Sequence, residues 1–286
     1  MRTFLLLLLL LLTPLVSQAR QSVGVMVNDV GLSIGDSKEV TGLRLNFRDR
    51  NMRMVRGVNA TIWTAHEPMR GTVNGVALGL PATSAEYITG YGWGLFGVGA
   101  EKDLTGVAFG GLGVGAGRNL TGLVSGGLGV GAGENVSGLI LAGLGVGAGG
   151  DFNGVGIAGI GAGAGGDVVG ILVSGIGTGA GGDIKGITLS GLASGSGGTM
   201  TGLHVAGFAI GAESVNGLIV APGYFRIEEG FQNGLAASAV SVVRGDQRGV
   251  TIGLYNYARK LEGVQIGLIN HAANKKRFKV LPLINF

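Results

Sequence analysis

Between residues 104 and 225 apolar residues and glycines alternate with little interruption. In the run Leu112 to Gly117, Leu112, Val114 and Ala116 fall on one side of an extended backbone and Gly113, Gly115 and Gly117 on the other. Period two predicts a strand. A helix is opposed by the many glycines, each costing ~1 kcal/mol against alanine in a helix interior. After each run stands Asn119, Asn135, Asp151, Asp167 or Asp183, often behind Gly-Gly. These residues tolerate left-handed backbone and can bond the local main chain, so they predict a corner. One residue further on, Leu120, Val136, Phe152, Val168, Ile184 and Met200 recur as expected inward anchors. Val124, Ile140 and Leu172 are expected on the outside, where they would leave an apolar flank.

The pattern is a repeat. One glycine returns at Gly90, Gly106, Gly122, Gly138, Gly154, Gly170, Gly186 and Gly202, and looser copies extend to Gly42, Gly57 and Gly75 on one side and Gly217, Gly234, Gly249 and Gly263 on the other. A unit this small cannot bury its apolar side alone, whereas a stack of units shares one core. The expected fold is an all-β β-solenoid of about fifteen turns, ~16 residues each, with two short strands per turn and a length on the order of 70 Å. The glycine side, including Gly145, is expected to pack closely. The alternative is an outer-membrane β-barrel, because Val107 to Gly117 is long enough to cross a bilayer as a strand. The chain also ends on Phe286 with Ile284, Val280 and Phe278 at alternate positions. Against the barrel, its strands alternate in direction, so its turns should alternate in kind, and here every turn is alike.

Composition narrows the class. Of 286 residues 61 are glycine, five are proline and none is cysteine. Without a glycine at every third place a collagen helix is excluded, and 46% hydrophobic against 13% charged content is the reverse of a disordered chain. Disulfides, thiolate nucleophiles and a lipid-bearing cysteine are excluded together. Arg2, the apolar run Phe4 to Leu12 and Ser17-Gln18-Ala19 read as a signal peptide over residues 1–19, so the chain is expected to be exported. Residues 20–89 then form irregular repeats and a cap, 90–216 the glycine-rich repeats, and 217–286 degenerate repeats and a second cap. Charge gathers in the two flanks and the middle is almost neutral. No basic stripe exists for nucleic acid. The cluster Lys275, Lys276, Arg277 and Lys279 suits a cap or an anionic membrane surface.

At the C-terminus, Gly249-Val-Thr-Ile-Gly-Leu-Tyr-Asn256 and Gly263-Val-Gln-Ile-Gly-Leu-Ile-Asn270 precede Leu281-Pro-Leu-Ile-Asn-Phe286. These segments resemble a family of bacterial surface-repeat proteins, whose hallmark is a tandem Gly-h-Gln-h-Gly-Leu-h-Asn unit and a terminal Leu-Pro-h-Ile-Asn-aromatic motif. The likeness runs from about residue 42 to 286, and the closing motif is its most specific part. It implies export and a repeat architecture at the cell surface, and it supplies no catalytic residue; the expected location is the cell surface or outer membrane of a bacterium.

No residue presents itself as catalytic, cofactor-binding or metal-ligating. His66, His204 and His271 lie far apart in sequence and form no His-x-x-x-His pair. Gly145 to Gly150 spells a dinucleotide fingerprint, but inside a repeat with no helix to receive a pyrophosphate. Asp167 and Asp183 follow Gly-Gly as in calcium-binding rolls, yet one acid per turn is too few oxygens. The sequons at Asn59, Asn119 and Asn135 read as corners. The expectation is therefore a non-enzymatic structural or interaction protein, its partner a second copy or the outer membrane. A pore or anchor is the role that would follow from the barrel.

Overall fold

The structure is a computed structural model that describes residues 22–286, so the expected signal peptide lies outside the described residues. The described residues hold 27 strands joined in one continuous hydrogen-bonded array, and no helix is found among them. Each repeat lies on the next in parallel and in register: Gly106 pairs with Gly122, Gly122 with Gly138, and Gly138 with Gly154. The fold is a β-solenoid of about fifteen turns with about 16 residues per turn, and not a barrel. The decisive fact is direction, because consecutive barrel strands would pair antiparallel and consecutive turns here pair parallel. A middle turn has a seven-residue strand such as Val136–Ala142 and a four-residue strand such as Gly145–Ala148. Stacking gives a wide sheet and a narrow sheet enclosing a thin interior.

The corner anchors point inward as expected. Leu120, Val136, Phe152, Val168, Ile184 and Met200 are all wholly buried. Val124, Ile140 and Leu172 are wholly buried too, which reverses their expected outward placement. In a strand alternate residues share a face, so an inward Val136 puts Ile140 inside with it. Leu112 also departs from expectation: Val114 and Ala116 are buried, whereas Leu112, at the corner before the narrow strand, is 50% exposed.

The recurrent glycine of the wide sheet is a steric necessity. From Gly42 to Gly234 its φ lies between +100° and +156°, a region closed to most side chains. A Cβ on Gly138 would collide with the carbonyl oxygen of Gly122 in the turn before, and the same holds along the ladder. The narrow-sheet glycines are different. A Cβ on Gly147 would meet nothing within 4 Å, and one on Gly145 would come no nearer than 3.8 Å, to the Gly161 oxygen. The close packing expected at Gly145 is thus absent, because that residue faces out.

Both ends reverse direction. Ser22–Val27 pairs antiparallel with Val30–Gly35, and Val280–Asn285 pairs antiparallel with Val264–Ala272. Pro282 lies in the last strand and has no amide hydrogen to offer another chain. Near the N-terminal end the interior is polar. Buried Arg44 donates to Asp36 at 2.8 Å, to Asn59 Oδ1 at 2.9 Å, to the Ser37 carbonyl at 3.1 Å and to Asp49.

Candidate interaction surface

Two positions of each wide-sheet strand face outward beside the ladder glycine, and both are apolar in nearly every turn. In the first column Leu123, Leu139, Val155, Ile171, Ile187 and Leu203 stack in register. The same column runs without a charged residue from Leu32 at one end to Val264 at the other. In the second, Leu141, Ile157, Val173, Leu189 and Val205 stack likewise, and Ser125 is its one hydroxyl-bearing side chain. A third column lies at the adjoining corner: Leu112, Leu128, Leu144, Ile160, Ile176, Leu192 and Phe208, each between 46% and 56% exposed. Their amides bond turn to turn, as Leu128 to the Leu112 carbonyl at 2.7 Å, so the column is as regular as the sheet.

Together the columns make a face roughly 70 Å long and ~15 Å wide, from ~4.8 Å per strand and ~3.3 Å per residue along it. An area on the order of 1,000 Å² exceeds the few hundred square ångströms of contiguous apolar surface that a soluble monomer ordinarily shows. Toward the N-terminal end the face deepens into a notch of about 410 Å³ lined by Leu45, Ala60, Ile62, Leu78, Leu80 and Trp93. On its far side the wide sheet presents a polar column, Thr105, Thr121, Ser137 and Asn153.

The narrow sheet offers something else. Its outward positions in the middle turns are bare glycine, as at Gly129, Gly131, Gly145 and Gly147. Near the C-terminal end these give way to larger groups, and Arg244, Tyr255, Tyr257, Arg259, Glu228 and Glu229 line an open cleft of about 590 Å³. Arg226 bonds Glu228 at 2.7 Å there, so part of the charge is internally neutralised.

The structure keeps the three histidines apart. His66 lies at the surface 3.1 Å from Arg50 Nε, His271 stands edge-on to Tyr257 with centroids 5.2 Å apart, and His204 is wholly buried. His204 Nδ1 lies 3.0 Å from Thr188 Oγ1, which is 3.1 Å from Ser194 Oγ. Burial disfavours the imidazolium and lowers the His204 pKa to about 4. The corner Asn and Asp residues bond the next turn and not their own local main chain. The amide of Asp167 donates to Asp151 Oδ1 at 2.8 Å, and that of Asp183 to Asp167 Oδ1 at 2.8 Å. Among the described residues no three His, Asp or Glu side chains are grouped so as to hold a metal ion. Of the stretch from Gly145 to Gly150, residues Gly145–Ala148 form a narrow strand, and the two glycines after it turn a corner. Asn59 is buried against Arg44 and Asp49, and Asn119 and Asn135 bond along the corner ladder.

The Gln and Asn of the C-terminal segments are interior residues. Gln265 Nε2 donates to Gln247 Oε1 at 3.0 Å, and Asn256 Nδ2 to Asn270 Oδ1 at 2.8 Å. All four are wholly buried, and the Asn285 amide closes the row by donating to the Asn270 carbonyl at 3.2 Å. The repeated polar signature is therefore a structural one in this chain. The outward apolar flank expected on Val124, Ile140 and Leu172 is formed by their neighbours, such as Leu139 and Leu141 beside Ile140 and Ile171 and Val173 beside Leu172. Comparison of the chain with family models, curated proteins and solved structures gives no match.

Proposed function

We propose that this chain is an exported, non-enzymatic repeat protein with a structural or interaction role at the bacterial cell surface, acting through the outward face of its wide sheet. The observation that carries the reading is that face: long, uncharged and apolar, on a molecule whose own core lies elsewhere. Solvated apolar surface of this extent is costly to leave exposed, at ~25 cal/mol per Å², so a partner that covers it gains a large driving force. A non-catalytic role is supported by where the reactive groups sit. The corner acids accept main-chain amides, and His204 is enclosed among Thr and Ser hydroxyls. Export is supported by residues 1–19 and by the likeness of the closing motif to surface-repeat proteins.

A pore is not proposed, since the solenoid interior is filled by side chains. The test is fractionation of the native cells, with protease added from outside to intact cells. The expected result is recovery of the processed chain in the envelope or medium, open to the protease. An unprocessed chain found in the cytosol would overturn the reading.

A further inference from the structure

We infer that the partner on the apolar face is a second copy of this chain, the two rods lying wide sheet against wide sheet. The inference rests on the proposal that this face is an interaction surface, and it names the occupant. Size is the first argument. A stable protein pair buries about 800 Å² per partner, and the face offers on the order of 1,000 Å².

Period is the second argument. The outward side chains stand in rows one strand spacing apart over about fifteen turns. Sheets that pack face to face interdigitate such rows at ~10 Å separation. Only a partner with rows at the same spacing stays in step along the whole length, and a second copy has that spacing by construction. An isologous pair also closes on itself, leaving no further apolar face for a third rod.

Charge is the third argument. A surface built to lie on anionic lipid carries Lys and Arg around an apolar strip. Here the middle of the face is bordered on one side by Thr121, Ser137, Asn153, Val169 and Lys185, whose single positive charge is paired with Asp183 at 3.6 Å, and by glycines on the other. A mostly polar rim with one internally paired cation, around an apolar centre, is the anatomy of a protein–protein contact and not of a basic lipid-binding strip.

The experiment uses the processed full-length chain at micromolar concentration. Sedimentation velocity is expected to give twice the mass of one chain. In L139E/I157E both changes lie on outward, half-exposed positions, so far-ultraviolet circular dichroism keeps its strand signature and the mass halves. The conservative pair L139M/I157V keeps the dimer. A second readout uses the lack of native cysteine: Ser125→Cys, mid-face, is shielded from a water-soluble maleimide and becomes reactive when L139E/I157E is added.

A dimer that survives L139E/I157E overturns the inference, because the copies then meet elsewhere. A wild-type monomer also overturns it, and flotation with phosphatidylethanolamine–phosphatidylglycerol vesicles then separates two cases. Flotation lost in L139E/I157E would make lipid the occupant and leave the face an interaction surface. A monomer that neither floats nor changes behaviour in L139E/I157E would remove the interaction surface as well.

Discussion

The middle turns and the last turns close the same solenoid with opposite interiors. Between residues 120 and 172 the inside is hydrocarbon: Val124, Val136, Ile140, Phe152, Val168 and Leu172 are wholly buried. Phe152 fits because Gly156, four residues along the same strand, has no side chain; a Cβ there would stand 2.8 Å from the Phe152 ring. In the last turns Gln247, Thr251, Asn256, Gln265, Asn270 and Asn285 are equally buried, and their amides bond one another and the backbone. Hydrocarbon packing accepts small changes of volume, whereas a buried amide is satisfied in one register only. The middle is built to be repeated. The end is built to be placed.

That contrast can be broken most severely at the ladder glycine. Gly138→Val should cost more than about 4 kcal/mol, or prevent folding, because it forces a β-branched residue into positive φ against the Gly122 carbonyl. Thermal melting followed by circular dichroism is the measurement, and a melting temperature within a few degrees of wild type would refute the steric account. The same replacement at outward Gly147 should change stability by less than about 0.5 kcal/mol.

Next in size is a pH effect where the middle interior first turns polar. His204 has a folded pKa near 4 against 6.5 unperturbed, so the unfolded chain takes up the proton first. Its stabilising contribution is complete above pH 6.5, declines as pH falls toward 4 and is spent below that. The span is on the order of 3 kcal/mol. Denaturant midpoints of wild type and His204→Leu should converge at low pH; parallel curves would contradict the buried neutral imidazole.

In the amide region, Asn270→Leu should cost about 2 kcal/mol by removing one of the two acceptors of the buried Asn256 Nδ2, which keeps only the Ile266 carbonyl at 3.1 Å. Adding Asn256→Leu should recover part of that loss, and a double-mutant cycle with purely additive costs would refute the pairing. Smallest is the corner. Asp167→Leu removes the acceptor for the Asp183 amide and should cost ~1 kcal/mol, whereas Asp167→Asn keeps it and relieves repulsion from Asp151 and Asp183. Equal melting temperatures for the two variants would show that the corner bond contributes nothing.

The stack, its sixteen-residue turn and its inward anchors were legible because the glycine, the corner Asn or Asp and the residue after it recur in fixed phase. The orientation of Val124, Ile140 and Leu172 was not. Residues 139, 140 and 141 are Leu, Ile and Leu, so alternation has no polar partner to mark the outside. Glycine was ambiguous for a related reason. Gly138 and Gly147 are the same letter, yet one is required by φ and the other stands in open space. The buried role of Gln265 and Asn270 was hidden because a polar residue in a strand ordinarily faces water, and only the cross-turn partners bring it inside.

The in-register parallel pairing of neighbouring turns has a consequence for how such a molecule changes over generations. Each turn meets only the turns beside it, and the glycine, the corner acid and the anchor always find their own kind one repeat away. Copying or excising one whole repeat therefore joins compatible edges and alters only the span of the rod, by one strand spacing of ~4.8 Å. A gene prone to slippage over near-identical segments would vary this protein in reach while leaving both of its ends intact.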